Sequence, residues 1–321
     1  MSALLERLGV RMPVVQAGMA GGIARHELAA AVSEAGGLGT IGTLPPGALA
    51  EEIGAARRLT SGPIAVNVLL PFARRDHWPV AAEADAVVTF WGRPRRRTPG
   101  IWLHQCGSVS EALAARMAGA DGVIVQGVEA GGHVRGELPA LELLARARAA
   151  LPAGYPLLIA GGIADAADVR RSLEAGADAA VLGTRFLMTE ESAAHPSYKQ
   201  RLIEARDTVL TELFGLGWPA PHRVLWNRAA DRWLASDPRG PAWVRALTRV
   251  SAPLLARTPL ALQTRLLAAQ RPGIPFLSPA PPARDAPDNL LDAGALYAGE
   301  TVSRIRDVRP AGELVPELAG A

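Results

Sequence analysis

The sequence is poor in cysteine and lysine, since Cys106 and Lys199 are its only residues of these two types. A single cysteine forms no intrachain disulfide and excludes a cysteine-rich metal cluster, so a reducing compartment, the cytoplasm, is expected. Nearly all of the 34 basic residues are therefore arginine. A Schiff-base aldolase is excluded as well, because its lysine should end a strand at the active site, whereas Lys199 falls in a helical pattern.

Long apolar runs and dense basic clusters are scarce too. The mean hydropathy is +0.13, yet no apolar run reaches the roughly 18–20 residues of a membrane-spanning helix. The first twelve residues lack the apolar core of a signal peptide. The formal net charge is only +3, and the arginines at 93–97 are typical of a solvated loop. We therefore expect neither a membrane partner nor a nucleic-acid partner.

Short apolar runs alternate with longer amphipathic ones from Pro13 to about Arg206. The short runs are rich in valine and isoleucine and are apolar on both faces, which is typical of parallel strands buried on both sides. Eight such runs are present: Val14–Ala17, Gly39–Gly42, Ile64–Leu69, Ala86–Phe90, Ile101–Gln105, Gly122–Gln126, Pro156–Ala160 and Ala179–Leu182.

Helical patterns follow most of these runs, and Ser108 or Ser110 and Asp165 are the expected N-caps. Eight parallel strands with crossovers favour a (β/α)8 (TIM) barrel, an α/β fold, over an open doubly wound sheet. No helix is expected over 91–100, which holds two prolines and two glycines. The predicted helices are Ala24–Ala35, Ala48–Leu59, Ser110–Ala118, Ala140–Ala150, Asp165–Ala175 and Pro196–Asp207.

The composition changes after about Leu213, where four of the seven tryptophans fall within 31 residues, Leu213–Trp243. We expect a barrel over 1–210, a small helical cap over 211–287 and a segment over 288–321 that returns to the barrel. Helices are predicted over Val224–Leu234 and Ala293–Ile305. Another is predicted over Ala242–Ala269, broken or kinked at Pro253 and Pro259.

The turns after the seventh and eighth runs predict a phosphate site. Active sites of (β/α)8 barrels lie at the carboxyl ends of the strands, and a phosphate commonly binds after strands 7 and 8. Gly161 and Gly162 follow the seventh run, and Gly183 and Thr184 follow the eighth. Glycines let a phosphate approach backbone N–H groups closely, and Thr184 adds a hydroxyl donor.

Other turns and strands supply further candidate residues. His133 follows two glycines after the sixth run, where an imidazole can take or give a proton near neutral pH. The turn Ala17-Gly18-Met19 has little side chain and could meet a flat cofactor, although a simple tight turn fits it equally. Asn67 interrupts an apolar strand, so its buried amide needs partners, either a ligand ring edge or a neighbouring strand.

His104 and Cys106 share one face of the fifth run by the period of 2, and packed side chains are favoured there over a Cys–His nucleophile pair. The other histidines, His26, His77, His195 and His222, are scattered along the chain. No metal site is expected.

These residues together resemble the nitronate monooxygenase family, formerly called 2-nitropropane dioxygenases. The likeness covers about residues 10–210 and is most distinctive at the run Glu129-Ala130-Gly131-Gly132-His133. It continues through Gly217-Trp218-Pro219 and Leu296-Tyr297-Ala298-Gly299. The same superfamily contains FMN-dependent type II enoyl-ACP reductases, which share the glutamate-to-histidine run.

The resemblance implies FMN as cofactor and His133 as the catalytic residue beside it. In the family reaction an alkyl nitronate is oxidised with O₂ to a carbonyl compound and nitrite. His133 would either abstract the α-proton of a nitroalkane or, protonated, stabilise the nitronate anion. The residues implied to hold FMN are Ala17, Gly18, Met19, Asn67, Gln126, Gly132, Gly161, Gly162, Gly183 and Thr184.

Three functions stay open at this point. They are a nitronate monooxygenase, an FMN reductase that transfers hydride from NAD(P)H to an enoyl thioester or quinone, and a non-catalytic flavin- or phosphate-binding barrel. The partners expected for the first are a small nitronate or nitroalkane and O₂, and a homodimer is left open. The sequence departs from the family at Glu300, where glutamine is common, so a negative charge near the flavin is expected.

Overall fold

The computed structural model describes residues 2–255 and 267–321. Within them the chain forms two compact units. The first comprises Met1–Ala130, Arg135–Ala193 and Asp307–Ala321, and the second comprises Gly131–Val134 and Ala194–Arg306. These units follow different boundaries from the segments 1–210, 211–287 and 288–321 that the sequence suggested.

The first unit is built on eight parallel strands, which form the predicted barrel. Their order is β1-β9-β8-β6-β5-β4-β3-β2, and a parallel bridge between Val15 and Leu38 joins the two end strands and closes the sheet. The strands are β1 (Val14–Gln16), β2 (Gly39–Ile41), β3 (Ile64–Leu69), β4 (Ala86–Phe90), β5 (Ile101–Cys106), β6 (Gly122–Gln126), β8 (Leu157–Ala160) and β9 (Ala179–Leu182).

The helices of the first unit follow the predicted ones closely, and the segment 91–100 contains none. Ser108 and Asp165 are N-caps as predicted, because their side chains accept hydrogen bonds from the N–H groups three residues on. The helices are α1 (Ala3–Leu8), α2 (His26–Glu34), α3 (Pro46–Leu59), α4 (His77–Ala81), α5 (Val109–Met117), α6 (Ala140–Ala150), α7 (Ala166–Glu174), α8 (Thr184–Leu187) and α13 (Ala311–Ala319), with a 3₁₀ turn at Leu70–Phe72.

Two apolar layers stabilise the barrel. Leu4, Leu5 and Leu8 of α1 pack with the side chains inside the barrel, so α1 contributes to the interior core. Leu314 and Val315 of α13 pack in the outer layer between strands and helices, and α13 contacts α2 and α7. The C-terminal helix therefore completes the ring of helices around the first unit.

The second unit contains a three-stranded antiparallel sheet that the sequence did not predict. Its strands are β7 (Gly132–His133), β10 (Val209–Thr211) and β11 (His222–Val224), in the order β10-β11-β7. The helices are α9 (Pro196–Glu204), α10 (Arg228–Trp233), α11 (Ala242–Leu255) and α12 (Asn289–Ala293), with a 3₁₀ turn at Glu300–Arg304.

Two helix predictions for this unit were wrong in part. The helix predicted from Val224 starts later, because Val224 pairs in the sheet and the Asn227 side chain caps α10. The helix predicted to start at Ala293 instead ends there. α11 runs from Ala242 to Leu255 and so includes Pro253 in its last turn. Pro259 lies outside the described residues.

No helix within the described ranges is long and apolar enough to cross a membrane.

Candidate active site

One layer of side chains lines the inside of the barrel at the carboxyl ends of its strands. Successive strand residues point to opposite faces, and Val15, Leu38, Ala65, Val88, Leu103, Ile124, Leu158 and Val181 all pack in the interior cluster. The residues two positions further on share that face and form the mouth layer: Ala17, Thr40, Asn67, Phe90, Gln105, Gln126, Ala160 and Gly183.

Two predicted polar residues of the mouth layer are held by the protein itself. Asn67 accepts a hydrogen bond from the Thr43 hydroxyl at 3.0 Å and donates to the Val88 carbonyl at 3.3 Å. The Gln126 side-chain oxygen accepts the Arg135 N–H at 3.0 Å. Both side chains are at least 95% buried, so their orientation is fixed before any ligand binds.

The turn after β1 covers part of this layer. A Cβ at Gly18 would overlap the Cβ of Asn67, so only glycine allows the backbone to approach this closely. The Met19 side chain packs instead against the outer core between strands and helices. Among the residues of this turn, Ala17 and Gly18 therefore lie at the mouth, whereas Met19 can contribute only its backbone there.

Sequence reasoning missed Gln105, because it considered the other face of β5. Gln105 is half-buried in the mouth layer, and its amide makes no hydrogen bond to any described residue. The detectable signal was the same as for Asn67, a polar side chain that interrupts an apolar strand. Thr40 was missed as well, and its buried hydroxyl has no partner among the residues that the structure describes.

His104 and Cys106 lie on the outer face of β5 and are buried, as predicted for packed side chains. The Nδ1 atom of His104 is 2.7 Å from the Thr89 hydroxyl oxygen, and burial lowers the pKa of His104 to about 4. Burial also raises the pKa of the Cys106 thiol well above its ordinary value. A neutral thiol and a neutral imidazole away from the mouth do not form a nucleophile pair.

The turns after β8 and β9 have the backbone required for an anion site. Gly161 and Gly162 have φ values of +114° and +72°, which favour glycine. The N–H groups of Gly161, Gly162 and Gly183 donate to no other described residue. Thr184 begins α8 directly after Gly183. Oriented N–H donors with no side chain in the way fit a phosphate group.

Glu129, the first residue of the run that ends in His133, stabilises a helix start. Both of its carboxylate oxygens accept the N–H of Ala140, at 3.1 and 3.0 Å, where α6 begins. A carboxylate at a helix N-terminus satisfies an N–H donor and interacts favourably with the helix dipole. This position of the run therefore has a structural role in the first unit.

His133 lies in the second unit on β7 and is surrounded by aromatic rings. It pairs in register with His222 on β11. The ring of Trp218 stacks on the imidazole with centroids 3.6 Å apart and an interplanar angle of 15°, and the Tyr297 ring centroid is 5.6 Å away. Burial, with a smaller contribution from His222, holds the pKa of His133 well below its ordinary value. Gly132, with φ +78°, precedes it and has open space where a Cβ would lie.

His222 has a single tautomer that is fixed by the backbone. Its Nε2 accepts the Phe214 N–H at 3.2 Å, so its Nδ1 carries the proton and donates to the Ala220 carbonyl at 2.8 Å. Burial lowers the pKa of His222 to about 4. With both nitrogens bonded to backbone groups, His222 does not form a proton relay with His133.

We expect the protein to lose stability on mild acidification because His104 and His222 are buried and neutral. Their folded-state pKa values of about 4 lie below the ordinary 6.5, so their contribution is complete above pH 6.5 and is lost as the pH falls towards 4. At pH values near 4, each of these two histidines should have lowered the free energy of unfolding by about 3 kcal/mol. Urea unfolding followed by tryptophan fluorescence at pH 7.5, 5.5 and 4.5 should give falling free energies. An unfolding free energy that stays constant over this range would contradict the prediction, and His195→Gln serves as a control at a partly buried histidine outside the barrel strands and the antiparallel sheet.

The negative charge expected from Glu300 is paired. A Glu300 carboxylate oxygen lies 2.7 Å from the Nη2 atom of Arg223, whose side chain is 8% exposed. The charge of Glu300 is therefore balanced by that of Arg223 within the second unit, and its position near the flavin stays a prediction. Local sequence patterns do not indicate this pair, because Arg223 lies 77 positions away on β11.

His26 also has carboxylate neighbours, although the sequence suggested scattered histidines. Its Nδ1 lies 2.7 Å from Glu52 and 3.3 Å from Glu27, a grouping that could hold a metal ion. Glu52, however, already accepts hydrogen bonds from the Arg25 guanidinium and from the His26 N–H at the start of α2. We interpret the group as a stabilised helix start.

The fold and the mouth layer define a (β/α)8-barrel enzyme. The model of the nitronate monooxygenase family matches residues 2–93 and 95–320. A probable nitronate monooxygenase of Bacillus subtilis (strain 168) is 31% identical over 269 residues, which cover 67% of this chain and 77% of the relative. The nitronate monooxygenase of Pseudomonas aeruginosa is 32% identical over 286 residues, with coverage of 70% and 80%.

Relatives with other names are nearly as similar. A (3aS,4S,5R,7aS)-5-hydroxy-7a-methyl-1-oxo-octahydro-1H-indene-4-carboxyl-CoA dehydrogenase of Mycobacterium tuberculosis is 31% identical over 258 residues, 76% of this chain and 71% of the relative. The structure of FabK from Thermotoga maritima matches with a TM-score of 0.78 at 28% identity, covering 100% of this chain and 95% of FabK. The nitroalkane oxidase of Streptomyces ansochromogenes matches with a TM-score of 0.75 at 30% identity, covering 99% and 97%.

The chain belongs to the nitronate monooxygenase family. It is therefore a flavin-dependent oxidoreductase that acts on a small molecule.

Proposed function

We propose that the protein oxidises alkyl nitronates, or the nitroalkanes that give rise to them, with O₂ to a carbonyl compound and nitrite. The observation that carries this proposal is the match of the family model over residues 2–93 and 95–320, which include every residue given a role below. The buried, uncharged His133 adds a group suited to accept a proton at neutral pH.

The proposed cofactor is FMN, and the first unit offers suitable groups for it. The N–H groups of Gly161, Gly162 and Gly183, with the Thr184 hydroxyl, would bind its phosphate. The fixed amides of Asn67 and Gln126 would bind the polar edge of the ring, close to the bare backbone of Ala17, Gly18 and Met19. When bound, FMN supplies the electron acceptor for the nitronate and the electron donor for O₂.

The proposed role of His133 is that of a base. An imidazole nitrogen would take the α-proton of a nitroalkane, and the resulting nitronate is the species that is oxidised. The alternative role, a permanently protonated histidine that stabilises the nitronate, requires a charge that burial disfavours. Gly132 would let a ligand approach the strand that carries His133, because it has no side chain.

A second candidate function is the reduction of an enoyl thioester or quinone with hydride from NAD(P)H. The relative from Mycobacterium tuberculosis supports it, because its name describes a dehydrogenase of a CoA thioester. The two functions differ in electron source. In the first the organic substrate reduces the flavin, whereas in the second a nicotinamide does.

Anaerobic mixing distinguishes these candidates. The purified yellow protein is mixed with propyl-2-nitronate and, separately, with NADH and NADPH, and the flavin absorbance is followed. We expect the nitronate to bleach the flavin within the time of one turnover. NADH and NADPH should each bleach it much more slowly. Bleaching by a nicotinamide alone would reject the nitronate proposal, and a colourless protein that binds no FMN would reject the cofactor.

The pH dependence of nitroalkane oxidation should reflect the lowered pKa of His133. A base must be unprotonated, so kcat/KM for nitroethane should stay level from pH 7.5 down past 6.5 and fall only at more acidic pH. A histidine of ordinary pKa would have lost about half of its activity at pH 6.5. Initial rates of O₂ consumption over pH 5–7.5 test this, and a midpoint at or above 6.5 would contradict a buried base.

A homodimer and a cytoplasmic location stay predictions.

A further inference from the structure

The stack of Trp218 on His133 is the closest aromatic contact of the second unit within the described residues. The two rings are nearly parallel, at 15°, and their centroids are 3.6 Å apart. Over this distance no water fits between them, so one whole face of the imidazole is covered. Residues 213–221 supply this cover, and they lie about 85 positions after His133 in the chain.

The backbone around Trp218 is held firmly in this position. Its N–H donates to the Gly215 carbonyl at 2.9 Å, and its own carbonyl accepts the Ala220 N–H at 2.9 Å. Gly217 has a φ of +80°, a conformation that favours glycine. The loop is also tied to the strand that carries His133, because the Val134 N–H donates to the Pro221 carbonyl at 2.9 Å. These hydrogen bonds fix the backbone that carries Trp218 next to the strand that carries His133, and this places the indole beside the imidazole.

We propose that Trp218 is a positioning residue, which fixes the plane of the His133 imidazole and keeps water from one of its faces. This inference rests on the proposed role of His133 as a base. A base acts well only when its nitrogen meets the substrate proton at the correct angle, and a displacement of about 1 Å can cost about 100-fold in rate. Because the indole lies flat against the imidazole, the stack restricts rotation of the His133 ring about its side-chain bonds.

The titratable groups that face His133 carry no charge of their own near neutral pH. His222, on β11, is held neutral by burial, which lowers its pKa to about 4. Tyr297 donates its hydroxyl to the Pro279 carbonyl at 2.5 Å, and burial raises the pKa of Tyr297 further above its ordinary value. Arg223 follows His222 on β11, so its side chain leaves the opposite face of the sheet, where it pairs with Glu300. Access of water is thus the main variable that Trp218 controls.

Trp218 acts on the pKa of His133 in two opposite ways. An indole face attracts a cation, which alone would favour the protonated imidazole by about 0.5–2 kcal/mol. Desolvation opposes the charge and shifts buried groups by up to 3–5 pKa units. The pKa of His133 lies well below its ordinary value, with burial as the first cause. Because the indole also covers one whole face of the ring at 3.6 Å, we expect the desolvation that it causes to outweigh its attraction for the cation, so removal of the indole should make His133 easier to protonate.

The test is an NMR titration of His133 in the flavin-loaded protein. The imidazole signals of the six histidines are followed from pH 4 to 8, and His133→Gln identifies the signal of His133 by its loss. In Trp218→Leu the midpoint should rise by about 1 pH unit, since leucine is apolar but leaves one ring face open. Trp218→Phe, which can still stack, should keep a midpoint close to that of the unchanged protein. An unchanged or lower midpoint in Trp218→Leu overturns the inference.

Kinetics of the same variants separate positioning from general loss of structure. For nitroethane, Trp218→Leu should lower kcat about tenfold with little change in KM, and the acid limb of its rate profile should move with the NMR midpoint. Trp218→Phe should recover most of kcat. Trp226→Leu is the matched control, because Trp226 is an exposed tryptophan of the same unit, and it should leave both the titration and kcat unchanged. An acid limb that stays fixed in Trp218→Leu also overturns the inference.

The two proposals fail in different ways. If His133→Gln keeps full turnover, the role of His133 as a base is rejected, and the NMR titration still decides whether Trp218 controls its environment. If His133→Gln abolishes turnover while Trp218→Leu leaves the titration unchanged, the base role stands and the positioning role is rejected.

Discussion

Replacing His133 by glutamine should lower the turnover of nitroethane by about 10²–10⁴-fold, the usual contribution of a general base. Glutamine is similar in length and polarity but does not take a proton at neutral pH. His133 already lies in the neutral state that a base requires, because burial lowers its pKa. Nitrite formation and O₂ consumption measure the loss, and the flavin absorbance of the purified variant should be unchanged.

A preformed nitronate separates the two possible roles of this residue. A base is no longer needed once the α-proton is gone, so His133→Gln should oxidise propyl-2-nitronate at a rate within about tenfold of the unchanged protein. Equal losses with nitroethane and with the nitronate would instead indicate that His133 stabilises the anion. His195→Gln is the matched control, since that imidazole accepts the Ser197 N–H at the start of α9, at 3.1 Å, and its Nε2 lies 3.4 Å from Asp288.

Replacing Gly183 by valine should weaken FMN binding by about 100-fold or more without unfolding the barrel. The backbone of Gly183 has a φ of −100°, outside the left-handed region that favours glycine, and an added Cβ would find Ala17 Cβ at an ordinary 3.8 Å. The protein alone therefore has room for a Cβ at this position. A phosphate bound to the N–H groups of this turn would collide with it, and a loss of about 2.7 kcal/mol corresponds to 100-fold.

Fluorescence titration of the flavin-free protein with FMN measures this effect, and urea unfolding in the absence of FMN confirms that the barrel is intact. Gly312→Val is the control, because Gly312 lies in α13 with open space around its Cβ position. An unchanged dissociation constant for Gly183→Val would place the phosphate elsewhere. Gly161→Val is a poorer test, since the φ of +114° at that position strains any side chain even without a ligand.

The barrel strands were predictable because both of their faces are buried, and the resulting apolar runs stand out from the amphipathic helices. The position of β5 was predicted correctly, but the residue on its interior face was not identified. His104 and Cys106 attracted attention as reactive residue types, whereas Gln105 between them occupies the interior face. Which face of β5 points into the barrel is shown by the packing of Leu103 with Val88 and Ile124.

Contacts between distant parts of the chain were not predictable in the same way. His133 was assigned to a loop, because the two residues of β7 have no strand pattern and are ordered by pairing with β11, which follows about 90 positions later. The Arg223–Glu300 pair has the same character. Local patterning carries no information on such pairings, whereas the glycine turns near Gly161 and Gly183 are local and were found.

The order of elements around the first unit has a consequence for synthesis of the protein. α1 packs in the barrel interior, and α13 fills the helix layer against α2 and α7. More than 110 residues of the second unit separate β9 from α13 in the chain. Until residues 311–319 leave the ribosome, the apolar surface that Leu314, Val315 and Leu318 cover has no helix over it. The nascent barrel is thus an incomplete intermediate with an exposed apolar surface while about the last two fifths of the chain is translated.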